Sequence, residues 1–209
     1  MITTILSFLA FSLIHSITVA NGFKQRCHAL FGDTFMRVWY RFLYTLASAA
    51  TVGAALFCIA SAPDRALAAA PPWLYWIMRG IQTAGLALGV RAFEHLDAGE
   101  FLGVRQVMRY VRERRIAGNI EGLTGTGLIT TGVYGIVRHP LYLCGMLIVT
   151  FDPVITLNGL TFTVLADAYF LFGIFMEESR FQAAFGEEYR NYAQRVPMLV
   201  PRLFRSGRR

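Results

Sequence analysis

Apolar and polar positions along this chain alternate in long blocks, not residue by residue. Apolar runs cover about Ile2–Ala20, Phe35–Ala60 and Trp73–His95. Each reaches the roughly 20 residues that a helix needs to cross a bilayer. A fourth run, from Pro140 to about Ile155, is short and carries Asp152-Pro153, and a fifth runs from Asn158 to Met176. The last two read as a helical hairpin turning around Thr156 to Gly159. The intervening stretch is polar. Within it, Gly103 to Arg115 has the spacing of a basic amphipathic helix lying on a membrane surface, and "EGLTGTGLITTG" follows without the bias of a disordered segment. No internal repeat is present. The pattern predicts an all-α, polytopic membrane protein with about five transmembrane helices. It forms a single domain over 1–209, with three spans in 1–97, a loop over 98–137, and the hairpin plus a tail over 138–209.

Composition agrees. Hydrophobic residues make up 55% of the chain and charged residues only 16%, against about 25% charge in soluble domains. The net charge of +7 sits in clusters between apolar runs, which argues for membrane orientation and against nucleic acid as a partner. Lys24, Arg26, Arg37 and Arg41 form one cluster, Arg105 to Arg115 and Arg138 a second, and Arg180 to Arg209 a third. Across five helices all three fall on one side, so the positive-inside rule puts the N-terminus outside, the C-terminus in the cytoplasm, and the protein in the cell membrane. The first run has no positive charge before it, which favours a retained helix over a signal peptide. Cys27, Cys58 and Cys144 are odd in number and far apart, so neither a disulfide framework nor a metal site is expected.

The candidate chemistry gathers at the hairpin. "GVYGIVRHPLYLCG" puts Arg138, His139 and Pro140 at the start of the fourth helix, where a proline suits the first turn. "EESRFQAAFGEEYRNYAQRVPMLVP" puts Glu177 and Glu178 where the fifth helix returns to the same face. Singly, each has an ordinary explanation as an interfacial anchor or a solvated helix end. Together they suit a zwitterionic ligand with an adenine ring. Its carboxylate wants Arg138, His139 and helix N–H groups, its ammonium a glutamate, and its adenine the cover of the strip from Val196 to Pro201, Leu199 included.

These stretches resemble the integral-membrane methyltransferases that include isoprenylcysteine carboxyl methyltransferases and phospholipid methyltransferases. The shared pattern is Gly132, Tyr134, Arg138, His139, Pro140 and Tyr142, then Glu177, Glu178, Phe185, Gly186, Tyr189, Tyr192 and Pro197. The resemblance covers about a third of the chain. It implies S-adenosylmethionine as cofactor, held at the cytoplasmic interface and closed over by the C-terminal tail, with Arg195 also near it. "HSITVANGFK", "WYRFLYTLAS" and "FEHLDAGEFLGVRQV" resemble the bacterial branch that includes methanethiol S-methyltransferases. One position departs. Gly173 stands where the carboxyl methyltransferases have an arginine for the substrate carboxylate, which favours a small neutral or thiol acceptor.

A thiol acceptor must lose its proton, and a nearby cation favours the thiolate. His95, Arg91 and Arg105, with Glu94 and Gln106 beside them, are the candidates for that side. His15, inside the first helix, is costly in lipid and is expected to face the bundle. Two rival readings stand. Sterol-reductase-like membrane enzymes use NADPH with a related motif, but have Asn where Leu141 stands here, and the glutamate pair suits an ammonium better than a pyrophosphate. The other rival is a non-catalytic membrane protein assisting a respiratory or denitrification complex.

Overall fold

The computed structural model describes residues 1–114, 116 and 127–201. Outside them lie Arg115, the first half of the Gly/Thr-rich stretch, and the tail arginines Arg202, Arg205, Arg208 and Arg209. The described residues are overwhelmingly helical, as the apolar blocks predict. Helix α1 covers Ile2–Val19, α2 Asn21–Thr34, α3 Tyr40–Ser61, α4 Pro72–His95, α5 Ala98–Phe101, α6 Val104–Glu113, α7 Pro140–Thr150, α8 Leu157–Phe185 and α9 Glu187–Arg195. A two-stranded ribbon pairs β1, Ala66–Ala69, with β2, Val154–Thr156.

Among the described residues, three helical stretches are long and apolar enough to cross a membrane: Ile2–Val19, Asn21–Ser61 and Leu157–Phe185. The other two expected spans differ from these. Helix α7 is apolar but has only 11 residues, a rise of roughly 17 Å against a hydrocarbon core of about 30 Å. Helix α4 has the length, but Arg79, Gln82, Arg91 and Glu94 dilute its apolar character. Asn21–Thr34, the polar stretch between the first two apolar runs, is helical. It bends into α3 at Gly32, whose φ of 78° is a left-handed value that glycine adopts without strain, and a π-turn over Phe35–Trp39 follows. Helix α8 starts where its backbone is capped: Asp64 accepts from Asn158 N–H at 2.9 Å, and Thr156 Oγ1 from Gly159 N–H at 3.0 Å.

The chain packs as two compact units. The first holds residues 1–65, 156–165 and the described part of 96–127. Its core runs along α1 and α3, with Phe8, Met36, Val38, Tyr40 and Ala55 buried. His15 faces the bundle as expected, but its contacts include Ser48 Oγ at 3.0 Å and Tyr44 Oη at 2.8 Å on α3, beyond the neighbours on its own helix. Arg41 Nε donates to the carbonyl of Phe101 at 2.7 Å, which ties α5 to the start of α3.

The second unit holds residues 66–95, 128–155 and the described part of 166–209. Here α4 and α7 meet through small residues. A Cβ added at Gly89 would lie 2.6 Å from Cys144 Sγ, and one at Gly85 2.9 Å from Leu147 Cβ. The Gly85-x-x-x-Gly89 spacing is thus a close-approach seam of the kind apolar helices use, and Cys144 is packing material for it. Helix α8 meets α7 in the same way, with Phe170 against Gly145 and the Tyr142 ring against Gly173.

Candidate functional site

The site is built at the N-terminus of α7. Gly132, with φ 61°, opens a 3-10 turn over Gly132–Gly135, and Val137 is buried after it. His139 is the N-cap of α7 and Pro140 its first residue, where the missing N–H costs nothing. The last turns of α8 carry Glu177 and Glu178. Gly186, at φ 53°, then lets α9 turn back. Tyr189, Tyr192 and Val196 recur at helical spacing and form a buried cluster against Leu128, Phe181 and Phe185. Beyond α9 the chain runs beside the Arg138–His139 segment: Arg138 N–H donates to Pro197 O at 2.9 Å, and His139 N–H to Met198 O at 3.2 Å. All these residues belong to the second unit.

Glu178 is the centre of the network. Its Oε1 faces Arg138 Nε at 2.9 Å, His139 Nε2 at 2.6 Å and Tyr189 Oη at 2.5 Å, and its Oε2 accepts from Arg138 Nη2 at 2.8 Å. Arg138 Nη1 donates to the carbonyls of Ala193 at 3.0 Å and Val196 at 2.7 Å. Its guanidinium therefore holds the carboxylate bidentately and ties down the end of α9 as well. Among the described residues, Glu177 has a single hydrogen-bond contact, His139 Nδ1 at 3.2 Å. The side chain of His139 is 2% exposed, that of Glu178 19% and that of Glu177 25%. Both ring nitrogens of His139 face a carboxylate.

The surrounding phenols are held as donors. Burial, then the hydrogen bond to Glu178 and its charge, push Tyr189 far above the usual phenol range. Burial, then Glu177 and Tyr192, do the same to Tyr134. Burial pushes Tyr192 up to about 12 against the opposing pull of Arg138. Tyr192 Oη donates to the carbonyl of Tyr134 at 2.6 Å, locking the 3-10 turn to α9. For Arg138, burial lowers the affinity for the proton, but the Glu178 hydrogen bond and charge outweigh it and the net direction is up.

The structure therefore brings Tyr134, Arg138, His139, Pro140, Glu177, Glu178, Tyr189, Tyr192 and the backbone of Pro197 into one cluster. The Tyr142 ring lies 5.7 Å from that of His139. Leu199 follows in the tail, half-buried. Arg195 is exposed, with Nε donating to Asn191 O at 3.1 Å.

On the expected acceptor side, His95 Nδ1 lies 2.8 Å from the carbonyl of Arg91. Nδ1 is then the donor and Nε2 is left as the basic nitrogen. The ring rests on the 3-10 turn, since a Cβ on Gly132 would come 2.0 Å from Nε2. Arg91 pairs with Glu94 at 2.9 Å on an exposed face. Arg105 belongs to the first unit, where it pairs with Asp97, and Gln106 beside it is buried and donates to Glu100 O at 3.0 Å. Sequence reasoning missed Gly132 as the seat of His95 and the carbonyls of Ala193 and Val196 as partners of Arg138. The isolated "TGVYG" glycine was the available signal for the first. Backbone partners leave no mark in side-chain identity.

A cofactor fits this donor set at Glu177, whose second carboxylate oxygen has no hydrogen bond among the described residues, and which stands beside Tyr134 and His139. Arg138 is already engaged by Glu178, Ala193 and Val196.

No family model matches the chain, and no solved structure matches it. Curated relatives do. Methanethiol S-methyltransferase 2 of Bradyrhizobium diazoefficiens is 34% identical over 129 residues, 62% of this chain and 47% of that protein. Methanethiol S-methyltransferase of Mycobacterium tuberculosis is 26% identical over 197 residues, 91% of this chain and 74% of that protein. Protein-S-isoprenylcysteine O-methyltransferase B of Arabidopsis thaliana is 40% identical over 78 residues, 35% of this chain and 39% of that protein. The chain thus spans about half the length of the Bradyrhizobium relative. The chain is thus similar to methanethiol S-methyltransferases and to an isoprenylcysteine O-methyltransferase, and its Arg138–His139–Pro140 and Glu177–Glu178 elements, on which the resemblance to the isoprenylcysteine carboxyl methyltransferase-like membrane methyltransferases rests, are folded together here.

Proposed function

We propose that this protein transfers a methyl group from S-adenosylmethionine to a small thiol or a similarly lipophilic acceptor at the cytoplasmic face of the cell membrane. In this reading the chain crosses the bilayer five times, α4 and the short α7 included, with its N-terminus outside. The observation that carries the reading is the asymmetry of the glutamate pair. Glu178 is consumed by a buried network, while Glu177 stands at its edge with acceptor capacity to spare.

Glu177 then takes an ammonium group. His139 orients Glu177, and Arg138 is a positioning residue that fixes Glu178 and the end of α9. The tail from Pro197 to Leu199 gives apolar cover and excludes water. S-adenosylmethionine supplies an electrophilic methyl group on a sulfonium. The acceptor's thiol proton goes to Nε2 of His95, the nitrogen left without a proton when Nδ1 donates to the Arg91 carbonyl.

The test is calorimetric titration of the detergent-purified protein with S-adenosylhomocysteine and, separately, with NADP. Saturable binding of the first, lost in Glu177→Ala and His139→Ala, is the expected outcome. Small thiols, prenylcysteines and phospholipids are then compared as acceptors. Binding of NADP in its place would move the protein to the reductases, and binding of neither by folded protein would sink the enzymatic reading.

A further inference from the structure

Helix α6 presents an arrangement that the methyl-transfer reading does not use. It is pinned to the start of α3, one of the helices apolar enough to span a membrane. Arg41 Nε donates to Phe101 O, the Arg41 guanidinium lies 5.5 Å from the centroid of the Phe101 ring, and Gly103 approaches so closely that an added Cβ would meet Phe42 N at 2.4 Å. Gly103, at φ 82°, turns the chain there. Helix α6 thus sits at the level where α3 begins.

Its inner face is settled by Gln106, buried and bonded to Glu100. Its outer face is apolar. Val104, Met108 and Val111 recur at i, i+4 and i+7 and are all exposed, Val111 at 60%. Arg105, Arg109 and Arg112 run along the edge of this arc. With Val104 and Met108 they line a shallow groove of about 350 Å³, and Glu113 joins them at its end. Asp97 holds Arg105, and Glu100 lies 3.6 Å from Arg109. Arg112 has no ion pair among the described residues. An exposed apolar arc edged by guanidinium groups matches one surface, the acyl–headgroup boundary of an anionic leaflet.

We infer that α6 lies in the membrane interface, with Val104, Met108 and Val111 among the acyl chains and the arginine groove holding the phosphate of an anionic phospholipid. This rests on the membrane location alone and is independent of the methyl acceptor.

The experiment is hydrogen exchange of the full chain in nanodiscs of phosphatidylcholine, of phosphatidylcholine mixed with phosphatidylglycerol, and of phosphatidylcholine with inorganic phosphate added. The amides of α6 should exchange about tenfold more slowly in the phosphatidylglycerol discs, given the attraction of each surface arginine to anionic lipid. The added protection should vanish in the Arg105→Gln/Arg109→Gln/Arg112→Gln variant and shrink in Met108→Gln/Val111→Gln. Equal protection in both lipids, or its persistence in the arginine variant, overturns the inference. Protection by inorganic phosphate equal to that by phosphatidylglycerol overturns it in favour of a free-anion site. The amides of α3 serve as the control. Rapid exchange there in the wild type means that the membrane reading itself has failed. Rapid exchange there only in a variant means that the variant is misfolded, and the wild-type lipid comparison then decides.

Discussion

Replacing Glu178 by alanine removes the carboxylate on which Arg138, His139 and Tyr189 converge, and the side chains of Arg138 and His139 are 9% and 2% exposed. Removing one partner of a buried ion pair leaves the other desolvated and uncompensated, at a cost of about 3–5 kcal/mol. Glu178 is itself partly exposed, which places the expected loss near the lower end, about 3 kcal/mol. Replacing Glu177 removes one hydrogen-bond contact, at 3.2 Å, worth roughly 0.5–1.5 kcal/mol. For a chain of this size 1 kcal/mol shifts the melting temperature by about 2–4 °C, so Glu178→Ala should melt about 6–12 °C below the wild type and Glu177→Ala only a few degrees below it. The assay is thermal unfolding in one detergent, followed by tryptophan fluorescence, with S-adenosylhomocysteine binding measured on the same samples. The expected pattern is split: Glu177→Ala stays folded and loses the ligand, and Glu178→Ala loses stability first. Equal melting shifts would refute the assignment of Glu178 as the structural member of the pair. Undiminished binding in Glu177→Ala would refute its partner's assignment to the ligand.

Gly132→Ala should lower stability by about 1–2 kcal/mol, because alanine in the left-handed region is strained, and its Cβ must also push the His95 ring off the turn. The displaced imidazole should show in the His95 proton and nitrogen chemical shifts, which would stay put if the ring does not rest there. At the other end of α8, hydrogen bonds from Thr156, then from the backbone of Asn158, hold Asp64 below the usual carboxylate range. A depressed carboxylate contributes stability above its unfolded pKa of about 3.9, and the contribution is lost as pH falls through its lower folded value. Asp64→Asn should therefore flatten the acid limb of melting temperature against pH, and an unchanged limb would dissociate Asp64 from the capping of α8.

Much of the architecture can be read from the pattern of apolar runs, since a spanning helix needs only length and continuity. The hairpin is legible for a further reason: Pro140 marks the start of α7, and Glu177 and Glu178 end the apolar part of α8. What escaped the reading depends on geometry that composition does not encode. Asn21 to Thr34 looks like a loop because it is polar, yet it continues as helix with no buried residue, supported near its end by the Asp33–Arg37 pair at i and i+4. The β1–β2 ribbon is too short to leave a period. Within the site, residue types pointed to the right neighbourhood but not to the division of labour. That division depends on which glutamate the arginine fork reaches, a matter of helix phase at the end of α8.

Gly173 joins the packing to the proposed acceptor. The resemblance places an arginine there for a substrate carboxylate. Here an added Cβ would stand 3.0 Å from Tyr142 Cε1 and 3.2 Å from its Oη, so the space an arginine would enter at its first carbon is occupied by the Tyr142 ring. That ring in turn lies edge-on to His139 at 5.7 Å and to Phe170 at 6.2 Å. Restoring the arginine would displace Tyr142 and with it one wall of the His139 pocket. The glycine is thus more than the loss of a substrate ligand: it is the condition for the packing of α7 on α8 seen here. A site closed in this way has no cation at Gly173 to draw an acceptor carboxylate, which is why the proposed acceptor is a thiol or another neutral lipophile.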